Sequence, residues 1–307
     1  MLKYIDFSKE VKEALDNKKA VVAIETAGTF EGFGYPDNMK LANDVSTAIR
    51  NIGAVPAYIG IIDGRVKVGL ENEEMERLAK PKEMLIKASR RDIPMLIAKK
   101  MDALTAVAST MMIAGITGIK VVTGGGIGGV HRGAETSFDI SADLNEFTKS
   151  NVVVVCSGAK SILDLNLTME YLETHAVSIA GYRTRELPAY MAVHSGIKLE
   201  YSFDTPSEVA EYMKIKQSLG VNDGLLLVNP IEEEYSVDSD KMNSAIELAV
   251  QKAAEDGIKG KRITKYILDI IHDELGGDSS EASIHLNLGN AVLAAEIACE
   301  IYDKSVM

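Results

Sequence analysis

Two ionisable residues directly follow runs of apolar residues. Glu25 ends the segment AVVAIE (20–25), and Lys160 follows VVVVC (152–156) in the stretch VVVVCSGAKSIL. Such runs are typical of central parallel strands that helices cover on both faces. The loops at the carboxyl ends of these strands form the ligand crevice of open α/β sheets. A buried glutamate there has a raised pKa and could donate a proton near neutral pH.

The lysine allows two interpretations. Helical spacing resumes at Ser161, so Lys160 is predicted to lie in a strand-to-helix loop at the crevice. The alternative is an ordinary lysine that reaches solvent or pairs with a carboxylate, as most lysines do. The pattern of residues by itself leaves both interpretations open.

A glycine-rich stretch, TGGGIGGVHRGAETSFDISADL (123–144), carries six glycines within residues 124–133. Gly124, Gly126 and Gly129 match the dinucleotide-binding spacing, but no helix is predicted to open at the third glycine, so that match is weak. Alternatively, the backbone N–H groups converge on a phosphate, with charge from His131 or Arg132. A tight turn that needs positive φ is the simplest interpretation, although six glycines exceed what one turn requires.

The same stretch ends in two aspartates. Asp139 and Asp143 flank Ser141, which places two hard oxygen ligands around a hydroxyl and could hold a divalent cation. The alternative is that Ser141 or Asp143 only caps a helix. A basic cluster, KASRRD, begins at Lys87 after an apolar segment, and its simplest interpretation is a solvated loop.

Composition excludes several classes of partner. The chain of 307 residues is 46% hydrophobic and 25% charged, as expected of a soluble globular enzyme. A net charge of −12 argues against nucleic acid or an anionic membrane as partner. The two cysteines form no disulfide framework, and no signal peptide is visible, so we expect a cytoplasmic protein. The apolar stretch 104–119 is short for a bilayer span and is predicted to be a core helix.

Strand and helix patterns alternate along the chain. Residue periodicity predicts a helix capped by Ser8, a glycine-rich loop after Glu25, a strand–turn–strand unit at 54–70 and a short acidic helix after it. Further strands are predicted near 84–88, 119–123, 152–156, 176–180 and 224–230, and further helices near 38–52, 141–149, 161–173, 239–255, 262–274 and 283–302. This alternation predicts an α/β/α sandwich around a largely parallel sheet, formed by residues 1–307 as a single domain.

Taken together, these features resemble the pseudouridine-5'-phosphate glycosidase family, also called indigoidine synthase A-like. The resemblance runs from about residue 8 to residue 303. Its most specific carriers are KASRRDIP, TAVASTM, GGIGGVHRGAETSFDISADL, CSGAKSILDLNLTMEYLET, the GY at 181–182 and the GGDS at 276–279.

The resemblance implies a homotrimer of α/β/α subunits that reversibly cleaves the C–C bond between ribose 5-phosphate and uracil, with a divalent manganese ion. Lys160 matches the family's nucleophile, which forms an imine with the sugar, Glu25 its proton donor and Asp139 its metal ligand. The positions that match contacts to the sugar phosphate or the base are Lys87, Val107, Gly124, Gly125, His131, Ser141, Ala142, Asp143 and Ser283.

Departures from the family cluster where the leaving group would bind. The family usually reads close to ESTIISHGMPYP after the glutamate, whereas this chain reads ETAGTFEGFGYP and has Glu31 in place of a histidine. Where the family has Ala-Thr-Gly-Gly, this chain has Thr123-Gly124-Gly125-Gly126, so a threonine hydroxyl on the phosphate side is absent or displaced. A base-facing asparagine is replaced by Ser283, although Asn287 and Asn290 follow in the same segment.

Three alternatives accompany the family prediction. The first is a family member that acts on a different C- or N-riboside. The second is a nicotinamide-dependent oxidoreductase, which the absence of an acidic ribose partner disfavours. The third is a non-catalytic sugar-phosphate binding protein, which would not require the combination of Lys160 and Glu25.

Overall fold

The computed structural model describes residues 2–80, 85–258 and 262–302. Eleven strands of these residues form one sheet. Across it run β1 (Ile5–Phe7), β4 (Arg65–Val68), β3 (Val55–Ile62), β2 (Val21–Glu25), β7 (Val121–Thr123), β9 (Val153–Cys156), β13 (Leu225–Val228), β11 (Ser178–Tyr182) and β12 (Ser202–Phe203). Beside β3 lie β6 (Ala103–Thr105) and then β5 (Ile86–Ala88). Only the pairs β3–β4 and β3–β6 of this sheet are antiparallel in the described chain, so the predicted, largely parallel sheet is confirmed.

Helices cover both faces of the sheet. The longer ones are α1 (Lys9–Asp16), α3 (Asp37–Ile52), α4 (Asn72–Ala79), α5 (Ile93–Lys99), α6 (Val107–Thr117), α9 (Leu165–Thr174), α10 (Pro206–Ser218), α11 (Ser239–Glu255), α12 (Arg262–Leu275) and α13 (Gly277–Tyr302). Alternate residues of β2 enter two separate cores: Val21 and Ala23 pack with α1 and α6, whereas Val22 and Ile24 pack with α3 and α13. This alternation confirms the α/β/α sandwich. The single-domain organisation stays a prediction.

Local signals account for several element ends. Ser8 caps α1, because its Oγ accepts a hydrogen bond from Val11 N at 3.2 Å. Gly53 ends α3 in the left-handed region with a φ of 102°, a conformation that glycine adopts without a steric penalty. The predicted core helix in 104–119 is α6, most of whose residues are buried.

Three predicted boundaries are wrong. Helix α2 (Thr26–Glu31) replaces the loop predicted after Glu25. Helix α9 begins four residues later than predicted, because Leu163–Asp164 form β10, which pairs with β8 (Val130–His131), and Asp164 then caps the helix. Helix α13 begins at Gly277 instead of near 283.

The remaining segments agree more closely. The predicted helix near 141–149 is the shorter α8 (Ala142–Glu146), and a one-turn helix, α7 (Ala134–Ser137), precedes it. The strand predicted near 84–88 is β5, and residue 84 lies outside the described residues. Both cysteines are free thiols. No helix within the described ranges is long and apolar enough to span a bilayer.

Candidate active site

The two ionisable residues lie at the same edge of the sheet. Glu25 ends β2, Lys160 follows β9, and β7 lies between these strands and leads into the glycine loop. A cleft of about 980 Å³ opens at this edge. Five of the predicted site residues line it: Glu25, Lys87, Gly125, Lys160 and Ser283.

Glu25 is a buried carboxylic acid. Its side chain is 2% exposed, and its Oε1 has no hydrogen-bond partner among the described residues. Burial raises its pKa, and the positive charges of Lys160 and Lys87 oppose that shift only in part. Because burial disfavours the carboxylate, the protonated acid persists to higher pH than in an ordinary glutamate. This confirms the predicted raised pKa of Glu25.

Two glycines leave room for this carboxyl group. A Cβ added at Gly28 would lie 2.4 Å from Glu25 Oε1, and one added at Gly124 would lie 2.8 Å from the same atom. Non-bonded Cβ atoms in proteins essentially never approach another atom this closely. Helix α2 and the glycine loop therefore approach the Glu25 carboxyl group with backbone atoms and no side chain. For Gly124, the structure shows this close approach as the role of the glycine.

Lys160 neither reaches solvent nor pairs with a carboxylate of the described chain, as an ordinary lysine would. Its side chain is 9% exposed, and no carboxylate of the described chain forms an ion pair with its ammonium group. Its backbone is fixed: Lys160 N donates to Ile127 O at 3.1 Å, and Leu163 N donates to Lys160 O at 3.0 Å. The loop that carries the lysine is therefore tied directly to the glycine loop.

The glycines of this loop allow close packing against neighbouring side chains. Gly129 leads into β8 rather than a helix, so the dinucleotide-binding interpretation is wrong. A Cβ at Gly126 would lie 2.7 Å from the ring of Tyr190. Gly128 N already donates to Asp143 Oδ2 at 2.9 Å, so this N–H does not point at an external anion.

Asp143 joins two elements, and Ser141 caps a helix. One carboxylate oxygen of Asp143 accepts from Gly128 N, and the other accepts from Ala108 N at 2.8 Å at the start of α6. Ser141 Oγ accepts from Asp143 N at 3.2 Å, which is the N-cap of α8. The helix-cap interpretation of Ser141 is confirmed, and Asp143 serves as a link between the glycine loop and α6.

Asp139 is the one of the two predicted aspartate ligands whose carboxylate accepts no hydrogen bond from the described residues. It is half-buried. His131 is its neighbour, since His131 N donates to Asp139 O at 3.0 Å. Burial lowers the pKa of His131, and the charge of Asp139 opposes that shift. The described residues contain no cluster of three His, Cys, Asp or Glu that could hold a metal ion.

Several predicted site residues lie outside the cleft walls of the described chain. Val107 is buried at the first turn of α6, and Ala142 is exposed at the first turn of α8. The others are Gly124, His131, Asp139, Ser141 and Asp143. Asp143 is still near enough for its charge to raise the pKa of Glu25.

The structure adds one cleft residue that carries no sequence signal. Tyr190 has a φ of 64°, is buried and lines the cleft. Burial raises its pKa to about 12, the charge of Glu25 adds to this shift, and the neighbouring side chain of Ser283 opposes it. Its position depends on a contact of Tyr190 N with Ser157 O at 3.1 Å, which periodicity does not reveal.

Comparison with known proteins agrees with this geometry. The sequence pattern of the family described as "Indigoidine synthase A like protein" matches residues 10–300. A pseudouridine-5'-phosphate glycosidase of Clostridium botulinum is 50% identical over 97% of both chains. The enzyme of the same name from Escherichia coli K12 is 48% identical over 96% of this chain and 95% of its own.

Two solved structures share the whole fold. The prealnumycin C-glycosynthase AlnA, in complex with ribulose 5-phosphate, superposes with a TM-score of 0.90 at 35% identity, covering 98% of this chain and 97% of its own. An indigoidine synthase A-like protein from Thermotoga maritima gives 0.88 at 30% identity, covering 97% of each chain. Sequence pattern, relatives and fold agree, and the chain belongs to the indigoidine synthase A-like family.

Proposed function

We propose that this protein is a pseudouridine-5'-phosphate glycosidase that reversibly cleaves the C–C glycosidic bond to give ribose 5-phosphate and uracil. The observation that carries the proposal is a buried lysine without a carboxylate partner in the described chain, in the same cleft as a buried glutamate whose pKa is raised by burial. Relatives of that name, about half identical over nearly the whole chain, support it.

The chemistry begins at the anomeric carbon. The side-chain nitrogen of Lys160 attacks C1' of the ribose, and the bond between C1' and the ring oxygen breaks. Glu25 gives its proton to that oxygen, which becomes a hydroxyl. The sugar is then an open chain held to Lys160 through a C–N bond, with uracil still attached at C1'.

The second step breaks the C–C bond. Glu25, now a carboxylate, takes a proton from the Lys160 nitrogen, whose freed lone pair forms a C=N bond to C1'. The electron pair of the C1'–C5 bond goes to uracil, which takes that proton from Glu25 at C5. Because a carbon leaving group has no heteroatom to protonate, this nitrogen supplies the driving electron pair. Water then adds to the iminium carbon, releases Lys160 and yields ribose 5-phosphate.

A product assay tests the proposed function. The purified protein is incubated with pseudouridine 5'-phosphate and a panel of other C- and N-ribosides, with and without manganese, and the products are identified by mass spectrometry. We expect ribose 5-phosphate and uracil. Failure to cleave pseudouridine 5'-phosphate, or to form it from the two products, would contradict the proposal.

One observation favours a second candidate, a family member with a different leaving group. Ser283 offers a single hydroxyl beside Tyr190, where an amide could pair with both a donor and an acceptor of uracil. Asn287 Nδ2 donates to Ser283 O at 2.7 Å, and Asn290 Nδ2 donates to Gly124 O at 3.1 Å. Asn290 is fully engaged with the backbone and with Ser157 and Asn229, whereas Asn287 lines the cleft and keeps a second N–H for a ligand. The riboside panel distinguishes the two candidates.

We propose Asp139 as the ligand of one divalent manganese ion per subunit. A hard cation that keeps most of its waters needs only one or two protein carboxylates, and the open carboxylate of Asp139 fits such a site. Both oxygens of Asp143 already accept backbone N–H groups. When bound, the ion supplies positive charge that orders water and sugar hydroxyls.

Replacing Asp139 by alanine should weaken manganese binding by about tenfold or more, since the site loses its protein ligand. The free ion is counted by electron paramagnetic resonance during titration, so the measurement does not depend on activity. Glu135→Ala, which removes an exposed carboxylate from α7, is the matched control and should leave the affinity unchanged. Equal affinities of Asp139→Ala and wild type would rule out this ligand.

The remaining contacts follow the family resemblance. We propose that the sugar phosphate and the base are held by Lys87, Val107, Gly124, Gly125, His131, Ser141, Ala142, Asp143 and Ser283. The homotrimer and the cytoplasmic location stay predictions, and light scattering after size-exclusion chromatography measures the number of subunits.

A further inference from the structure

An ion pair lies in the wall of the cleft that contains Glu25 and Lys160. Glu31, the last residue of α2, places its Oε2 3.7 Å from the Nζ of Lys87 on β5. Both side chains line the cleft, and they are 32% and 34% exposed respectively. Water therefore reaches the pair, and a bound molecule can separate it without paying the cost of opening a buried contact.

Lys87 is the cleft cation that lies beside the catalytic pair. The lysine and arginine residues on the described cleft walls are Lys80, Lys87 and Lys160. The charges of Lys160 and Lys87 act on Glu25, and Lys160 is needed as the nucleophile. A phosphate monoester bound in this cleft therefore contacts Lys87. It also lies beside Glu31, because Glu31 is paired with Lys87.

We propose that Glu31 is a positioning residue that holds Lys87 in the free protein and lowers the affinity of the cleft for phosphorylated ligands. The inference rests on the proposed function, because it takes the ligand to be a sugar phosphate. A phosphate dianion displaces the singly charged carboxylate from Lys87, and opening that ion pair takes up part of the binding free energy. Glu31 therefore sets how strongly the protein prefers a phosphorylated riboside over the unphosphorylated one.

Direct binding separates this role from catalysis. Ribose 5-phosphate and ribose are titrated by calorimetry into wild type and Glu31→Gln, which keeps the shape of the side chain and removes its charge. An exposed ion pair is worth up to about 1 kcal/mol, so we expect Glu31→Gln to bind ribose 5-phosphate roughly threefold to fivefold more tightly. Binding of ribose should not change. The gain should shrink in concentrated salt, which screens exposed charges.

Three further variants make the result specific. Glu31→Asp keeps the charge and should behave like wild type. Asp37→Asn removes another carboxylate from the same cleft, away from this ion pair, and should have a smaller effect. In a Lys87→Met background, Glu31→Gln should give no gain, because the two residues act through each other.

The inference is overturned if Glu31→Gln binds ribose 5-phosphate no better than wild type, if the gain persists without Lys87, or if no variant binds ribose 5-phosphate. Failure of the proposed function has a different signature. In that case wild type cleaves no pseudouridine 5'-phosphate, while the titrations still report what Glu31 does to phosphate binding.

Discussion

Replacing Lys160 by alanine should reduce turnover of pseudouridine 5'-phosphate below detection. The reaction loses its nucleophile, and no other lysine or arginine of the described cleft walls lies on the loop after β9. Because the aliphatic stem of Lys160 is buried, alanine also removes some packing. Lys160→Met keeps that stem without the amine, and it should be equally inactive with a melting temperature close to that of wild type.

Chemical trapping identifies the covalent step. Borohydride reduces the C=N bond between Lys160 and ribose 5-phosphate to a stable amine, so the peptide that contains Lys160 should gain the mass of a reduced pentose phosphate. Lys160→Met should gain no label under the same conditions. An unlabelled Lys160 peptide from active wild type would contradict the imine mechanism.

Replacing Glu25 by glutamine should lower turnover by about 10²- to 10⁴-fold, the usual contribution of a positioned proton donor. Glutamine has nearly the same shape but carries no transferable proton. Binding of ribose 5-phosphate should survive the substitution. Wild-type turnover in Glu25→Gln would show that another group supplies the proton.

The same variant should become more stable than wild type as pH rises. Burial raises the pKa of Glu25 in the folded protein, so folding favours the protonated acid. Its contribution to stability is complete below the ordinary pKa of 4.5 and is lost as pH rises through the higher folded pKa. Glutamine does not ionise. The difference in melting temperature between Glu25→Gln and wild type should therefore grow from pH 4 to pH 9, and a constant difference would contradict a raised pKa.

The strand ends of the site are predictable because they depend on local patterns. Four consecutive apolar, β-branched residues place β9 in the sheet centre, and the polar residues that follow then lie at its carboxyl edge. Glu25 and Lys160 follow from this rule without knowledge of any contact. The raised pKa of Glu25 follows as well, since a carboxyl group at the end of a buried strand loses its water.

Elements decided by distant contacts escaped prediction. Helix α2 contains Gly28 and is followed by Gly32, whose low helix propensity predicts a loop, yet burial of Ala27 and Phe30 holds the helix in place. The pairing of β10 with β8 interrupts an apparently helical pattern. Glu31 meets Lys87 across 56 positions of sequence, a distance over which periodicity carries no information.

The order of the central strands sets the positions of the acid and the amine, whereas other elements form most of the cleft wall, so the two can change independently in evolution. Strands β2 and β9, which lead into Glu25 and Lys160, stand two positions apart in the sheet, roughly 10 Å at the usual strand spacing, and the buried sheet fixes that span. Much of the cleft wall comes instead from α2, α12 and α13, whose residues lie far from β9 in the sequence. Mutations in these helices can alter which aglycone departs while the acid and the amine keep their separation. Such a scaffold allows relatives that share one reaction to diverge in substrate through changes in the cleft walls alone.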